Sequence, residues 1–311
     1  MKRVVSVSIG SSKRDASAEV ELLGEKFLLE RVGTDGSFER AIALIKSYDA
    51  DPEVAAIGLG GIDLYLYAAG RRYTIRDAKK LARAASKTPV VDGSGLKHTL
   101  ERKVVADLDK LIGWRGRKVV MTSAVDRFGM AEALWEHGAE MVFGDIIFGL
   151  GVNIPIRTLR GLRLLAKVLL PVFTQLPFTW VYPTGEKQEK QINDWRSKYY
   201  QWADVIAGDF LYIKRFLPPR IDGKIILTNT TTADDVEMLR QRGAAMLATT
   251  TPRLNGRSFG TNVMEGLFVA LAGKYPLSEQ DYLDYIDKLG LGANVTNFGE
   301  EAAISDTGGK Q

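Results

Sequence analysis

The amino-acid sequence predicts an α/β fold, with an N-terminal α/β domain followed by a doubly wound parallel sheet. Two observations predict it. Short apolar runs of strand length alternate with stretches whose apolar residues recur at helical spacing, the pattern of parallel strands joined by crossover helices. The chain also has 311 residues, 45% of them hydrophobic, enough to bury more than one core.

Val4–Ile9 alternates apolar residues with serine and reads as a strand, and Val20–Val32 gives one or two more around Gly24. Phe38–Tyr48 has helical spacing. Val54–Leu59 is a buried strand that runs into glycines, and LYLYAAGRRY (64–73) reads as a hairpin arm with Gly70-Arg71 at its turn. Thr74–Ser86 is helical, because Ile75, Ala78, Leu81, Ala82 and Ala85 share a face. Pro89–Val91 is a strand and Leu96–Leu111 a helix, which completes an N-terminal α/β substrate domain over residues 1–112.

Gly113 and Gly116 flank a turn into the strand Lys118–Met121. A helix (Gly129–His137), a strand (Met141–Gly144), a helical region (Pro155–Leu170) and a further helix (Ile192–Ala203) follow. Strands Val205–Ala207 and Ile225–Leu227, the helix Ala233–Arg242 and the strand Ala245–Ala248 come next. Residues 113–260 thus read as a Rossmann-like nucleotide-binding domain. Residues 261–311 hold the helices Asn262–Ala272 and Glu279–Leu289, able to pack back on the first domain, and a polar tail, Thr296–Gln311, expected to be loose.

Composition excludes several classes. A balance of 42 basic against 38 acidic residues is too even to imply a nucleic-acid partner. The absence of cysteine rules out disulfides, thiolate metal sites and a cysteine nucleophile, and two histidines leave no multi-histidine site, so no metal is expected. The apolar run in MKRVVSVSIGSSKRD is too short and interrupted for a signal peptide, and no apolar span of 18 residues occurs, so a cytoplasmic protein is expected. Arg157, Arg160, Arg163 and Lys167 recur opposite a leucine-rich face; a crossover helix with snorkelling cations or a homodimer interface fits this better than membrane contact. Pro183–Glu189 reads as a charged loop able to cover a crevice.

The turn Ser123–Gly129 lies where a nucleotide-binding unit holds phosphate, though it lacks the usual glycines. Ser123 can offer its hydroxyl, Arg127 its charge, and Gly129 close helix packing. Asp145 ends the next strand, where a carboxylate takes ribose hydroxyls and favours NAD over NADP. Two threonine-rich loops, 228–232 and 249–251, follow strands and place Thr230 and Thr250 at the ligand crevice; Thr232 with Asp235 also resembles a capping box. In the first domain Gly60, Gly61 and Asp63 suggest close backbone approach to a substrate, or simply a tight turn. Lys97 falls near a helix start, where the dipole gives a cation no support, and Asp92 is close by. A lysine of lowered pKa there can exchange a proton with an alcohol, oriented by Asp92.

The segment Trp114-Arg115-Gly116-Arg117-Lys118-Val119, entered from an α/β domain through a short helix, resembles the entry to the Rossmann strand in the shikimate/quinate dehydrogenase family, in particular the bacterial branch labelled quinate 5-dehydrogenase. The resemblance implies NAD-dependent oxidoreduction of a cyclic hydroxy acid, a small-molecule substrate. It puts Lys97 at the position of the family's lysine. It puts Glu265-Gly266, on the same helix as Asn262, where the family has a substrate-touching Gln-Gly. The family's Asn-Val-Thr-x-Pro-x-Lys context and its Gly-Ala-Gly-Gly loop are replaced here, the latter by Ser123–Asp126. The alternatives are a non-catalytic nucleotide-binding or regulatory protein on the same fold, and a transferase.

Overall fold

The computed structural model describes residues 1–177 and 191–299 except 252, 255 and 256; of 253, 254, 257 and 258 it describes the backbone alone. The protein is a mixed α/β chain with parallel sheets, and it divides into two compact units. The first comprises Met1–Leu100, Val168–Val181 and Pro252–Leu291; the second comprises Glu101–Lys167, Tyr182–Thr251 and Gly292–Gln311.

The sheet of the first unit contains β1 (Lys2–Ser8), β2 (Ala16–Leu22), β3 (Glu25–Gly33), β4 (Val54–Gly60) and β5 (Val90–Val91), in the order β2-β3-β1-β4-β5. β3, β1, β4 and β5 run parallel, and β2 returns antiparallel to β3. The return is tight because Leu23 and Gly24 both take positive φ, as a two-residue hairpin requires. β1 lies between two neighbours and is buried on both faces, which explains its run of Val4, Val5 and Val7. Its serines, Ser6 and Ser8, are buried as well, near the carboxyl end of the strand. The helix Thr261–Ala272 lies on β1 and β4. It approaches closely because Gly266 has no side chain: a Cβ there would stand 2.7 Å from Val4 Cγ1.

The second unit holds β6 (Lys118–Met121), β7 (Glu140–Phe143), β8 (Val205–Gly208), β9 (Ile225–Thr228), β10 (Met246–Thr249) and β11 (Asn294–Asn297), in the order β11-β10-β9-β8-β6-β7. All are parallel except β11, which joins the edge antiparallel to β10. The chain leaves β6 to one side for β7 and returns on the other side for β8. On one face the core stacks Phe148 on Tyr200 at 5.3 Å and sets Phe216 beside it at 5.5 Å.

Several elements depart from the sequence expectation. The helical region expected from Pro155 starts at Leu159, because Ile156 first bridges to Phe143 as an extended residue. The expected helix Ile192–Ala203 is confined to Ser197–Trp202, while Phe210–Phe216 is a helix that the periodicity did not mark. Thr296 and Asn297, expected in a loose tail, belong to β11. The loop Pro183–Glu189 and the tail beyond 299 lie outside the described residues. Among the described residues no helix is long and apolar enough to cross a membrane.

Gly266→Val should destabilise the protein by about 1–3 kcal/mol through overpacking against Val4. Urea unfolding would measure it, and an unchanged midpoint would show that helix and sheet are not in close contact there.

Candidate functional site

In the second unit, the loops at the carboxyl ends of β6 to β10 carry a concentration of carboxylates, hydroxyls and one buried arginine. The Arg127 side chain is only 6% exposed. Its guanidinium donates to Glu101 and, at 3.0 Å, to Asp209 Oδ2. Burial opposes the charge, but Glu101, Asp209 and Asp126 outweigh it and hold the pKa above the ordinary arginine value. Asp209 also caps the helix Phe210–Phe216 by accepting from the Leu211 N–H at 3.0 Å, and accepts from Asn229 Nδ2 at 2.8 Å.

Around this ion cluster the loops tie to one another. Ser123 Oγ accepts from the Asp209 N–H at 3.1 Å, and Asn229 Oδ1 accepts from the Phe210 N–H at 3.1 Å. Thr230 and Thr251 share a hydroxyl contact of 2.6 Å, and Thr251 donates to the Asn229 carbonyl at 2.8 Å. Thr250 is buried, with its N–H on the Thr228 carbonyl at 2.9 Å. Gly208 is held at φ +128°, and a Cβ there would meet Thr122 Oγ1 at 2.5 Å, so only glycine suits this strand end. Gly129 is buried in the helix Phe128–Glu136.

Asp145 does not face outward as a ribose-binding carboxylate would. Its Oδ1 accepts from the Val125 N–H at 2.9 Å, and the Ala124 N–H also contributes. Its Oδ2 is buried without a partner. Burial lifts its pKa to about 6 and the charge of Asp126 adds to the rise, against the pull of the backbone donors. The phenol of Tyr212 sits close enough to Asp126, Asp209 and Asp145 that its ionisation is suppressed, first by burial and then by these charges.

The expected phosphate cradle is therefore filled by the protein itself. Ser123 Oγ takes the Asp209 N–H, Glu101 and Asp209 hold the two terminal nitrogens of the Arg127 guanidinium, and Asp145 holds the Val125 N–H, all groups that would have met a pyrophosphate. Three carboxylates, Glu101, Asp209 and Asp126, surround one arginine, so a doubly charged pyrophosphate would be repelled. NAD, expected from Ser123, Arg127, Gly129, Asp145, Thr230 and Thr250, does not fit this loop.

The first unit gathers Gly60, Gly61, Asp63, Asp92, Lys97, Asn262 and Glu265 around the carboxyl ends of β1, β4 and β5. Asp92 is buried and already accepts four bonds: the N–H groups of Leu64 (2.6 Å), Tyr65 (2.8 Å) and Ser94 (3.1 Å), and the Ser94 hydroxyl (2.6 Å). It serves as a clasp between two loops. The Lys97 ammonium lies 4.0 Å from Asp63. Asn262 Nδ2 donates to Ser6 Oγ at 2.6 Å. Gly60 is packed on Ser8, which a Cβ would approach to 2.9 Å, and Gly93 at φ +87° is packed on Asn262.

Glu265 is buried and accepts from the Gly93 N–H at 2.5 Å and from the Tyr282 hydroxyl. Burial, then the charge of Asp92, pushes its pKa up to about 8. It ties the helix Thr261–Ala272 to the Asp92 loop and to Tyr282. Sequence reasoning missed Glu101, Asp209, Tyr212 and Tyr282 as members of these clusters. Only Asp209 left a signal, as an acid directly after a strand that ends in glycine, the place of a helix N-cap. Among the described residues no group of three or more His, Cys, Asp or Glu side chains is placed to hold a metal ion.

The raised Glu265 carboxyl gives a pH dependence of definite sign. Its contribution is fully present below the ordinary value of 4.5 and is lost as pH climbs through about 8. The melting temperature of the wild type should therefore fall relative to Glu265→Gln between about pH 5 and pH 8. Parallel curves would show that this carboxyl titrates normally.

No curated relative matches the sequence. Several solved structures resemble it at low identity. A solute-binding protein of an ABC transporter from Agrobacterium vitis, with bound allitol, is 12% identical at a TM-score of 0.41 and covers 98% of each chain. A sugar-transport substrate-binding protein from Bordetella parapertussis 12822 is 14% identical at 0.38, over 88% of this chain and 79% of its own. The arabinose-binding component of a transporter from Shewanella sp. ANA-3 is 11% identical at 0.37, over 98% and 95%. Likenesses this weak transfer no function. None of these three is a shikimate or quinate dehydrogenase. The family models that match are of domains of unknown function and not of shikimate or quinate dehydrogenases, and together with the carboxylates around Arg127 this corrects the expected dehydrogenase membership, the NAD cofactor and the oxidation of a cyclic hydroxy acid. Residues 3–92 match a family described as a domain of unknown function (DUF8753). The chain belongs to the family described as a domain of unknown function (DUF8754), whose match runs over residues 95–298.

Proposed function

We propose that the protein binds a small, neutral, hydroxyl-rich molecule at the carboxyl edge of its second sheet. We read that sheet as doubly wound about the gap between β6 and β8, where the chain reverses its direction of travel. In open α/β sheets such a reversal opens a crevice outside the strand ends. The single observation that carries the reading is the buried, unpartnered Oδ2 of Asp145, set near Asp126 and the phenol of Tyr212. A buried acceptor without a donor is costly and calls for one.

The chemistry of the surroundings supports hydroxyl donors over anions. Carboxylates accept hydroxyl hydrogen bonds, the threonine hydroxyls and the Asn229 amide can serve as either partner, and Tyr212 adds an apolar face. The local charge is negative, since Arg127 is spent on Glu101 and Asp209. A phosphorylated or carboxylated ligand would be repelled, and a neutral polyol or sugar would not. Binding is the proposed activity, with no chemical step attached to it.

Isothermal titration with allitol, D-allose and L-arabinose tests the proposal. At least one should bind saturably. Asp145→Asn keeps the acceptor toward Val125 and replaces the buried acceptor by a donor, so it should weaken binding by about tenfold or more. Absence of saturable binding by all three, or equal affinity of Asp145→Asn, would overturn it.

A further inference from the structure

At the opposite, amino-terminal end of the first unit's sheet lies an open cavity of about 680 Å³. That is within the range of small-molecule sites, roughly 300–1,000 Å³. It begins where Lys2 starts β1, Ala55 follows the first residue of β4, and Val90 starts β5. Ala85 and Ala270 form part of an apolar floor, and Tyr65 and Tyr275 wall it. Three lysines, Lys2, Lys87 and Lys274, line it.

Two features suit this cavity to an anion. The first is charge. Lys2 and Lys274 hold surface pairs with Glu25 at 2.7 Å and Asp281 at 2.8 Å, contacts of small worth that a ligand can replace. Lys87 is exposed and has no ion pair among the described residues. Arg72 adds a further cation, stacked over the Tyr65 ring at 4.3 Å. The second is preorganisation. The loop that carries Lys87 is held by Asp49, whose carboxylate accepts from the N–H groups of Ser86 (2.8 Å), Lys87 (2.9 Å) and Thr88 (2.7 Å) and from the Ser86 hydroxyl (3.0 Å). Tyr275 is fixed to the Val90 carbonyl at 3.3 Å. A rim already held in place loses little freedom on binding.

We propose that this cavity is a second ligand site, independent of the polyol site, which takes a small organic anion: a ring seated on the alanine floor between the tyrosines, with its charged group toward the lysines. Nothing covalent is involved.

Fluorescence titration of the full chain with 1-anilinonaphthalene-8-sulfonate, an aromatic anion, tests this. We expect saturable one-to-one binding that weakens with added salt. N-phenyl-1-naphthylamine, which lacks the charge, should bind about tenfold more weakly. Lys87→Glu should cost about tenfold in affinity, the worth of one charged contact. Ala85→Trp should fill the floor and remove binding. Near-ultraviolet circular dichroism should be unchanged in Lys87→Glu, which keeps the test valid if the tryptophan variant folds poorly. Displacement by benzoate or by phenyl phosphate then distinguishes carboxylate from phosphate as the natural charge. Failure to saturate, equal binding of the uncharged compound, or binding unaltered in Lys87→Glu would each overturn the proposal.

Discussion

The buried guanidinium of Arg127 is the constraint around which the second unit's loops are arranged. A charge only 6% exposed must be paired where it stands, and Glu101 and Asp209 pair it. Asp209 passes the constraint on, since the same carboxylate caps the helix Phe210–Phe216 and receives the Asn229 amide. Asn229 in turn holds the Phe210 N–H, and its carbonyl receives Thr251. The loops after β6, β8, β9 and β10 are thus fixed by one chain of hydrogen bonds. Removing one partner of such a cluster leaves an uncompensated buried charge, a loss of about 3–5 kcal/mol. The arrangement secures a unique geometry at the strand ends, and it does so by placing carboxylates against the cation that would otherwise meet a phosphate.

The first unit solves a similar problem with carboxylates alone. Asp92 and Glu265 lie close enough for the charge of one to raise the pKa of the other, and each is turned onto backbone N–H groups. Glycines make this possible. At Gly93 and Gly95 any side chain would collide with Asn262 or with Tyr282 and Glu265. The loop Asp92–Gly95 is therefore a joint between β5, the helix Ser94–Ile112 and the helix Thr261–Ala272. Its polar residues, which in sequence look like a reactive loop, are engaged in holding that joint.

Much of the fold was legible because burial on both faces writes itself as short apolar runs: Val4–Val7, Val119–Met121, Val205–Ala207 and Ile225–Leu227 all stand in central positions. The hairpin around Gly70 was legible from its turn, with Ala69 and Gly70 both at positive φ. β11 was not, since Asn294–Asn297 carries mostly polar side chains and, as the edge strand, pairs through its backbone with β10 alone. Periodicity has no access to such a pairing. Ser123, Arg127 and Asp145 do meet at the strand ends, but spacing cannot say whether a carboxylate faces a ligand or its own loop. Asp145 faces the Val125 N–H, and Arg127 finds Glu101, 26 residues earlier in the chain, a partner no local pattern marks.

The central claim is that this edge is closed to pyrophosphate because Glu101, Asp209 and Asp126 outweigh the charge of Arg127 and would repel a second anion. Isothermal titration of the wild-type protein with NAD tests it most directly. We expect no saturable heat up to millimolar NAD. Saturable binding of NAD that disappears in Asp145→Asn would contradict the claim and return the dinucleotide to this edge.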